Sequence, residues 1–94
     1  MRKLDGGEPR ALTQIAAKCR PEARAKALEY LNGRITREYE DGACDMTLNV
    51  IESEHMWFGT LLALGDGIKI EAPERIRRRL AEAAEKIVEM YREI

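Results

Sequence analysis

Few side chains in this 94-residue sequence are of types and spacings that could do chemistry: Cys19 and Cys44, one histidine at His55, the acids Asp45, Glu52 and Glu54, and the arginines Arg75, Arg77, Arg78 and Arg79. Two thiols could hold a metal or form a disulfide. These two do not make a CxxC pair, and with one imidazole in the chain there are too few soft ligands at useful spacing for a structural zinc site. A lone imidazole without a partner is not an acid–base or nucleophile arrangement, so His55 is expected at the surface. There is no glycine-rich phosphate loop after a strand, no serine elbow and no histidine–carboxylate set at ligand spacing. The three acids gather around a strand-to-helix junction and read as solvated charge. These residues predict no enzyme, no metal site and no cofactor.

The arginines could recognise carboxylate or phosphate. On a helix they spread around much of the circumference, with Arg75 and Arg79 on one flank, Arg77 on the other and Arg78 outermost. Positive charge in a first turn opposes the helix dipole by a few tenths of a kcal/mol per residue, and Glu89 and Glu93 near the far end oppose it again. That reversed pattern predicts one of two arrangements. Either the arginines pair with nearby acids such as Glu71 and Glu74, or Arg75, Arg77 and Arg78 touch nucleic acid or a neighbouring domain. The whole chain balances 16 basic against 17 acidic side chains, for a net charge of −1. A protein whose affinity came from neutralising phosphates would be clearly basic, so unaided DNA binding is disfavoured.

The elements that must position these residues follow from pattern and punctuation. Met1 to Arg10 combine glycines, a proline and charges, the chemistry of a linker or tail, which leaves residues 11–94 as one small domain. Ala11 to Cys19 alternates as a strand, with helix as a competitor because of its alanines. Pro21 suits a helix start and Gly33 the position after its end, giving a helix from about Pro21 to Asn32. Arg34 to Tyr39 and Cys44 to Ile51 flank Asp41-Gly42, a hairpin signal. In the second arm Cys44, Met46, Leu48 and Val50 point to a buried face, with Asp45, Thr47 and Asn49 opposite.

Ser53 is the expected N-cap of a second helix and Gly65 its stop. No charge falls between Met56 and Gly65, although charged residues form 35% of the chain. Met56, Trp57, Thr60, Leu61 and Leu64 share one face of that helix and Phe58 and Leu62 fall on the other. Apolar on two sides, it must be sandwiched or docked. Phe58 and Leu62 are accordingly the candidate dimer contacts, with cover by the last helix as the alternative. Ile68 and Ile70 form a short strand, and Pro73 opens a long helix. On that helix Ile76, Leu80, Ala83, Ala84, Ile87, Met90, Tyr91 and Ile94 lie within about 120° of arc.

The order βαββαβ followed by a helix predicts an α+β fold: a ferredoxin-like, four-stranded antiparallel sheet with the first strand beside the third. Cys19 and Cys44 should then be neighbours. No stretch approaches the length needed to cross a bilayer, and the amino terminus lacks a signal-peptide core, so no membrane association and a cytoplasmic location are expected, with both thiols reduced.

Cys44 to Tyr91 resembles the C-terminal region of WYL-domain transcriptional regulators, the WCX extension. The matching features are the alternating strand CDMTLNV, the tryptophan-bearing helix MWFGTLLALG, the strand IKIEAP and a helix beginning ERIRRRL, with Arg77 and Arg78 following Pro73. The upstream part, from Ala11, agrees in order of elements more than in residues. The resemblance implies a bacterial regulator in which a helix-turn-helix binds DNA and a WYL domain senses an effector, often thought to be a nucleotide or nucleic acid. The terminal domain helps in dimerisation and in relaying the signal. Homodimerisation, contact with other domains of the parent, and DNA binding only through the parent's helix-turn-helix follow as expectations. Neither the helix-turn-helix nor a Trp-Tyr-Leu motif occurs here; Trp57 is followed by Phe58. An alternative from another class is a stand-alone small-molecule-binding regulatory domain of the ACT type. An RNA-binding sheet would need aromatics on the first and third strands, which have none.

Overall fold

The computed structural model describes residues 12–92, and the expectations for Met1 to Ala11 and for Glu93 and Ile94 lie outside them. The elements run β1 (Leu12–Cys19), α1 (Pro21–Tyr30), β2 (Arg34–Glu38), β3 (Cys44–Ile51), α2 (Met56–Leu64), a short 3-10 turn (Gly65–Gly67), β4 (Ile68–Ala72) and α3 (Glu74–Arg92). The four strands form one antiparallel sheet in the order β2-β3-β1-β4, with β1 beside β3. The fold is therefore α+β, a four-stranded antiparallel sheet with three helices.

Alternation decides which face of the sheet is covered. Ile15, Ala17 and Cys19 of β1, Cys44, Met46, Leu48 and Val50 of β3, and Ile68 and Ile70 of β4 are all buried on the helix side. Their neighbours in sequence, such as Gln14, Lys18 and Lys69, face outward. A one-residue slip would turn every one of these side chains to the wrong face, so the core itself fixes the register. That register pairs Cys19 directly with Cys44, as the strand order required. Two bulges bend the edges, one in β2 between Ile35 and Arg37 and one where β4 meets β1 at Ala16 and Ala17.

The helices close the core with small contacts from α1 and large ones from α2. Ala23 and Ala27 are the buried residues of α1, together with Leu31 just beyond it. Pro21 opens this helix, but its end differs from expectation: the left-handed residue is Asn32, with φ 52°, and the Gly33 N–H returns to the Ala27 carbonyl at 3.3 Å. Asparagine tolerates that conformation better than other side chains, so the stop falls one residue early. The hairpin loop is one residue longer than expected, because β2 ends at Glu38 rather than Tyr39. Within it Gly42 takes φ 93°, and the Asp41 carboxylate accepts from the Ala43 N–H at 3.0 Å.

The start of α2 is a correction. Ser53 does not cap it; the helix begins at Met56 with His55 at the cap position and no side-chain cap. The reason is that β3 runs on to Ile51, and the Glu54 N–H then bonds the Ile51 carbonyl at 2.9 Å, which places Ser53 inside a turn. Gly65, with φ 59°, ends the helix as its sequence position suggested. Trp57 and Leu61 enter the core, whereas Met56 is 84% exposed. Pro73 acts as the cap of α3: its carbonyl accepts from the Ile76 and Arg77 N–H groups, and the Ala72–Pro73 peptide is cis.

Candidate interaction site

Arg75, Arg77 and Arg78 stand on α3 and Phe58 and Leu62 on α2. Thr13 enters from β1, Glu52 from the turn after β3, and Arg75 from the first turn of α3. The Arg75 guanidinium donates to both Glu52 oxygens, at 3.0 Å from Nε and 2.7 Å from the terminal nitrogen, while the Thr13 hydroxyl donates to Glu52 Oε1 at 2.8 Å. A planar fork on a carboxylate is the strongest geometry an arginine can make. The hydrogen bonds from Arg75 and then Thr13 hold the Glu52 carboxyl down to about 2, against an ordinary value of 4.5. Reading Glu52 as plain solvated charge was therefore wrong: it is a clasp between the sheet end and α3. Nothing in the local pattern around Glu52 could have shown this, since its partners are 39 and 23 residues away.

The other arginines divide by role. Arg77 and Arg78 both reach Glu74, at 3.4 and 3.6 Å, which matches one of the two acids named from the sequence. They remain more than half exposed. Arg79 turns the other way, with its guanidinium 4.1 Å from the centre of the Phe58 ring and 5.4 Å from that of Trp57. Phe58 in turn meets Trp57 edge-on, with ring centroids 5.6 Å apart. So Phe58 is half-buried beneath α3, while Leu62 stays 36% exposed. The two candidate dimer contacts therefore occupy different surroundings.

Leu62 belongs to a groove of about 850 Å³ between α3, α2 and β4. Its walls include Leu61, Ile68, Ile70, Leu80, Ala84 and Ile87, and Arg20, Arg77 and Asp66 stand at its rim. The α3 stripe departs most from expectation. Ile76 is buried and Leu80 half-buried, but Ile87 is 46%, Met90 70% and Tyr91 70% exposed. A 19-residue helix is about 28 Å long, and β4, with five residues, gives it support only over its first turns.

Cys19 lines the inner end of the groove yet is 2% exposed, and Cys44 beside it is 1% exposed. Burial pushes the Cys19 thiol up to about 11, with the neighbouring Cys44 adding to the effect, and burial raises Cys44 as well. Both thiols are held protonated and poorly nucleophilic, consistent with packing as small hydrophobes. His55 is exposed at the head of α2. Among the described residues no group of three or more His, Cys, Asp or Glu side chains could hold a metal ion, and no helix is long and apolar enough to cross a membrane.

The Glu52 clasp, the Arg79 stack and the open apolar groove are thus features of one α+β domain. The family is specific: a model of the WCX domain matches residues 11–88, and this chain belongs to the WCX domain family. No curated protein matches the sequence.

Proposed function

We propose that this chain is the C-terminal regulatory and dimerisation domain of a bacterial WYL-type DNA-binding transcriptional regulator. It relays effector binding to a helix-turn-helix domain outside these residues. The WCX match over residues 11–88 carries the reading. In it the domain acts by binding rather than by catalysis, works in the cytoplasm as part of a homodimer, and reaches DNA only through the parent protein. The effector is sensed by the neighbouring WYL domain and is a nucleotide or nucleic acid. We read the βαββαβ arrangement as ferredoxin-like, with α3 added at the β4 edge.

Arg77 and Arg78 support the relay part of this reading, because they project from α3 more than half exposed and, among the described residues, pair with the neighbouring Glu74. Arg75 is already engaged by Glu52 and serves the domain's own structure. The test is Arg77→Ala with Arg78→Ala in the full-length regulator, read as effector-dependent change in operator affinity. The expected result is operator binding without an effector response. An unchanged response would remove these arginines from the relay. A regulator lacking the whole domain that still responds fully would sink the regulatory role.

The ACT-like alternative, a stand-alone domain that binds a small molecule, draws support from the groove, whose 850 Å³ lies within the range of small-molecule sites. Saturable stabilisation by amino acids or nucleotides in a melting screen would favour it.

A further inference from the structure

The apolar stripe of α3 has two parts, and among the described residues only one has found a partner. Leu80, Ala83, Ile87 and Met90 are spaced alternately three and four residues apart, the seam along which one helix packs on another. Beyond Leu80 the helix lines the groove with Ala84, Ile87 and Val88, and Met90 and Tyr91 extend past it. Ile87, Val88, Met90 and Tyr91 are each more than two-fifths exposed, and four such side chains in two turns form a contiguous apolar patch of the kind that marks an interface.

Charge narrows what can cover this patch. The first turns of α3 carry Arg75, Arg77, Arg78 and Arg79 against Glu74, whereas the rest carries Glu82, Glu85 and Glu89 against Lys86 and Arg92. On the helix side of the sheet the groove adds Arg77 and the Arg20–Asp66 pair. An occupant that suits the apolar wall and the arginines at the head of α3 is an amphipathic helix carrying acids, and the C-terminal half of α3 is such a helix.

We infer that the groove beside α3 receives the C-terminal half of α3 from a second copy of this chain, the two helices running antiparallel about a two-fold axis. Each copy then supplies both helix and groove, so every contact is made twice, which matters because stable interfaces bury at least about 1,200 Å² in total. Met90 and Tyr91 of one copy enter beside Leu62 and Leu80 of the other. The acidic half of each helix lies along the arginines of its partner. This deepens the dimer part of the proposed function and rests on it; it places Leu62 in the interface and leaves Phe58 behind Arg79.

The test is the mass of the chain in solution by light scattering from about 1 μM to about 1 mM, for the wild type, Ile87→Glu with Met90→Glu, and Met90→Glu alone. A charge buried in the centre of an interface should weaken dimerisation at least about a hundredfold. The expected result is a wild-type dimer and a monomeric double variant with unchanged circular dichroism and melting. The single variant, at the more exposed position, guards against a folding effect. Glu85→Arg with Glu89→Arg should weaken the dimer about tenfold, and adding Arg77→Glu with Arg78→Glu should restore part of the loss.

A dimer that survives Ile87→Glu with Met90→Glu but is lost on Leu62→Asp with Phe58→Asp overturns this interface while leaving the dimer reading intact. A wild type that stays monomeric at every concentration overturns both, and would assign the groove to a helix of another domain.

Discussion

The two halves of α3 are built from one continuous pattern and meet opposite fates. From Glu74 to Leu80 the helix is tied down three ways: Ile76 in the core, Arg75 forked on Glu52, and Arg79 stacked on Phe58. From Ala81 to Arg92 the same apolar period continues, yet no residue is buried. Helix formation needs only local hydrogen bonds and propensity, and the alanines and glutamates of the second half supply both. Burial needs an opposing surface, and β4 ends too soon to provide one. An amphipathic stripe thus reports where a helix can bury surface, and the length of the supporting sheet decides where it does.

The largest effects should fall on the anchored half. Ile76→Ala removes a side chain that is 1% exposed and should cost about 2–4 kcal/mol in urea unfolding, whereas Ile87→Ala, in dilute solution, should cost less than about 0.5. Equal costs would erase the distinction between the halves. Next comes Arg79→Ala, which uncovers the Phe58 ring and should lower stability by about 0.5–1 kcal/mol with a change in Trp57 fluorescence. An unaltered emission spectrum would mean the stack does not persist in solution.

Glu52→Gln loosens the clasp at the head of α3. The pair is a third or more open to solvent, so screening keeps the effect small, a fall in melting temperature of about 4 °C. Its pH dependence is the sharper readout. The folded-state pKa of Glu52 lies below its ordinary 4.5, so the clasp stabilises fully above that value and is lost as pH falls through about 2. The melting-temperature gap between wild type and Glu52→Gln should be constant at neutral pH and shrink between about pH 4.5 and 2. A gap that persists at pH 2 would mean that the carboxylate charge is not what holds the helix head.

Much of the fold was legible because it was written in short-range pattern. The β3 alternation from Cys44 to Ile51 told inside from outside, Asp41-Gly42 marked the hairpin, and Pro21 and Gly65 marked a helix start and a helix stop. Strand order then placed Cys19 against Cys44 without any side chain saying so. The misses share a cause. Ser53 was a good cap by type, but the turn from Ile51 to Glu54 is set by how far β3 can pair with β1. Glu52 resembled any surface acid until Thr13 and Arg75 arrived from distant parts of the chain. Phe58 and Leu62 sit one turn apart on the same helix, yet Arg79 covers the first and leaves the second at the groove.

The sequence by itself determined the order of elements, which face of the sheet is apolar, and the kinship with WCX domains, which spans residues 11–88. Those properties depend on periods of two and 3.6 residues and on local stops, all contained in a few neighbouring positions. Only the tertiary structure decided which arginine clasps, which stacks and which stays at the surface, and where the last helix outruns its support. Each of those outcomes is a distance between residues far apart in the chain, and such distances exist only once the sheet has closed beneath its helices.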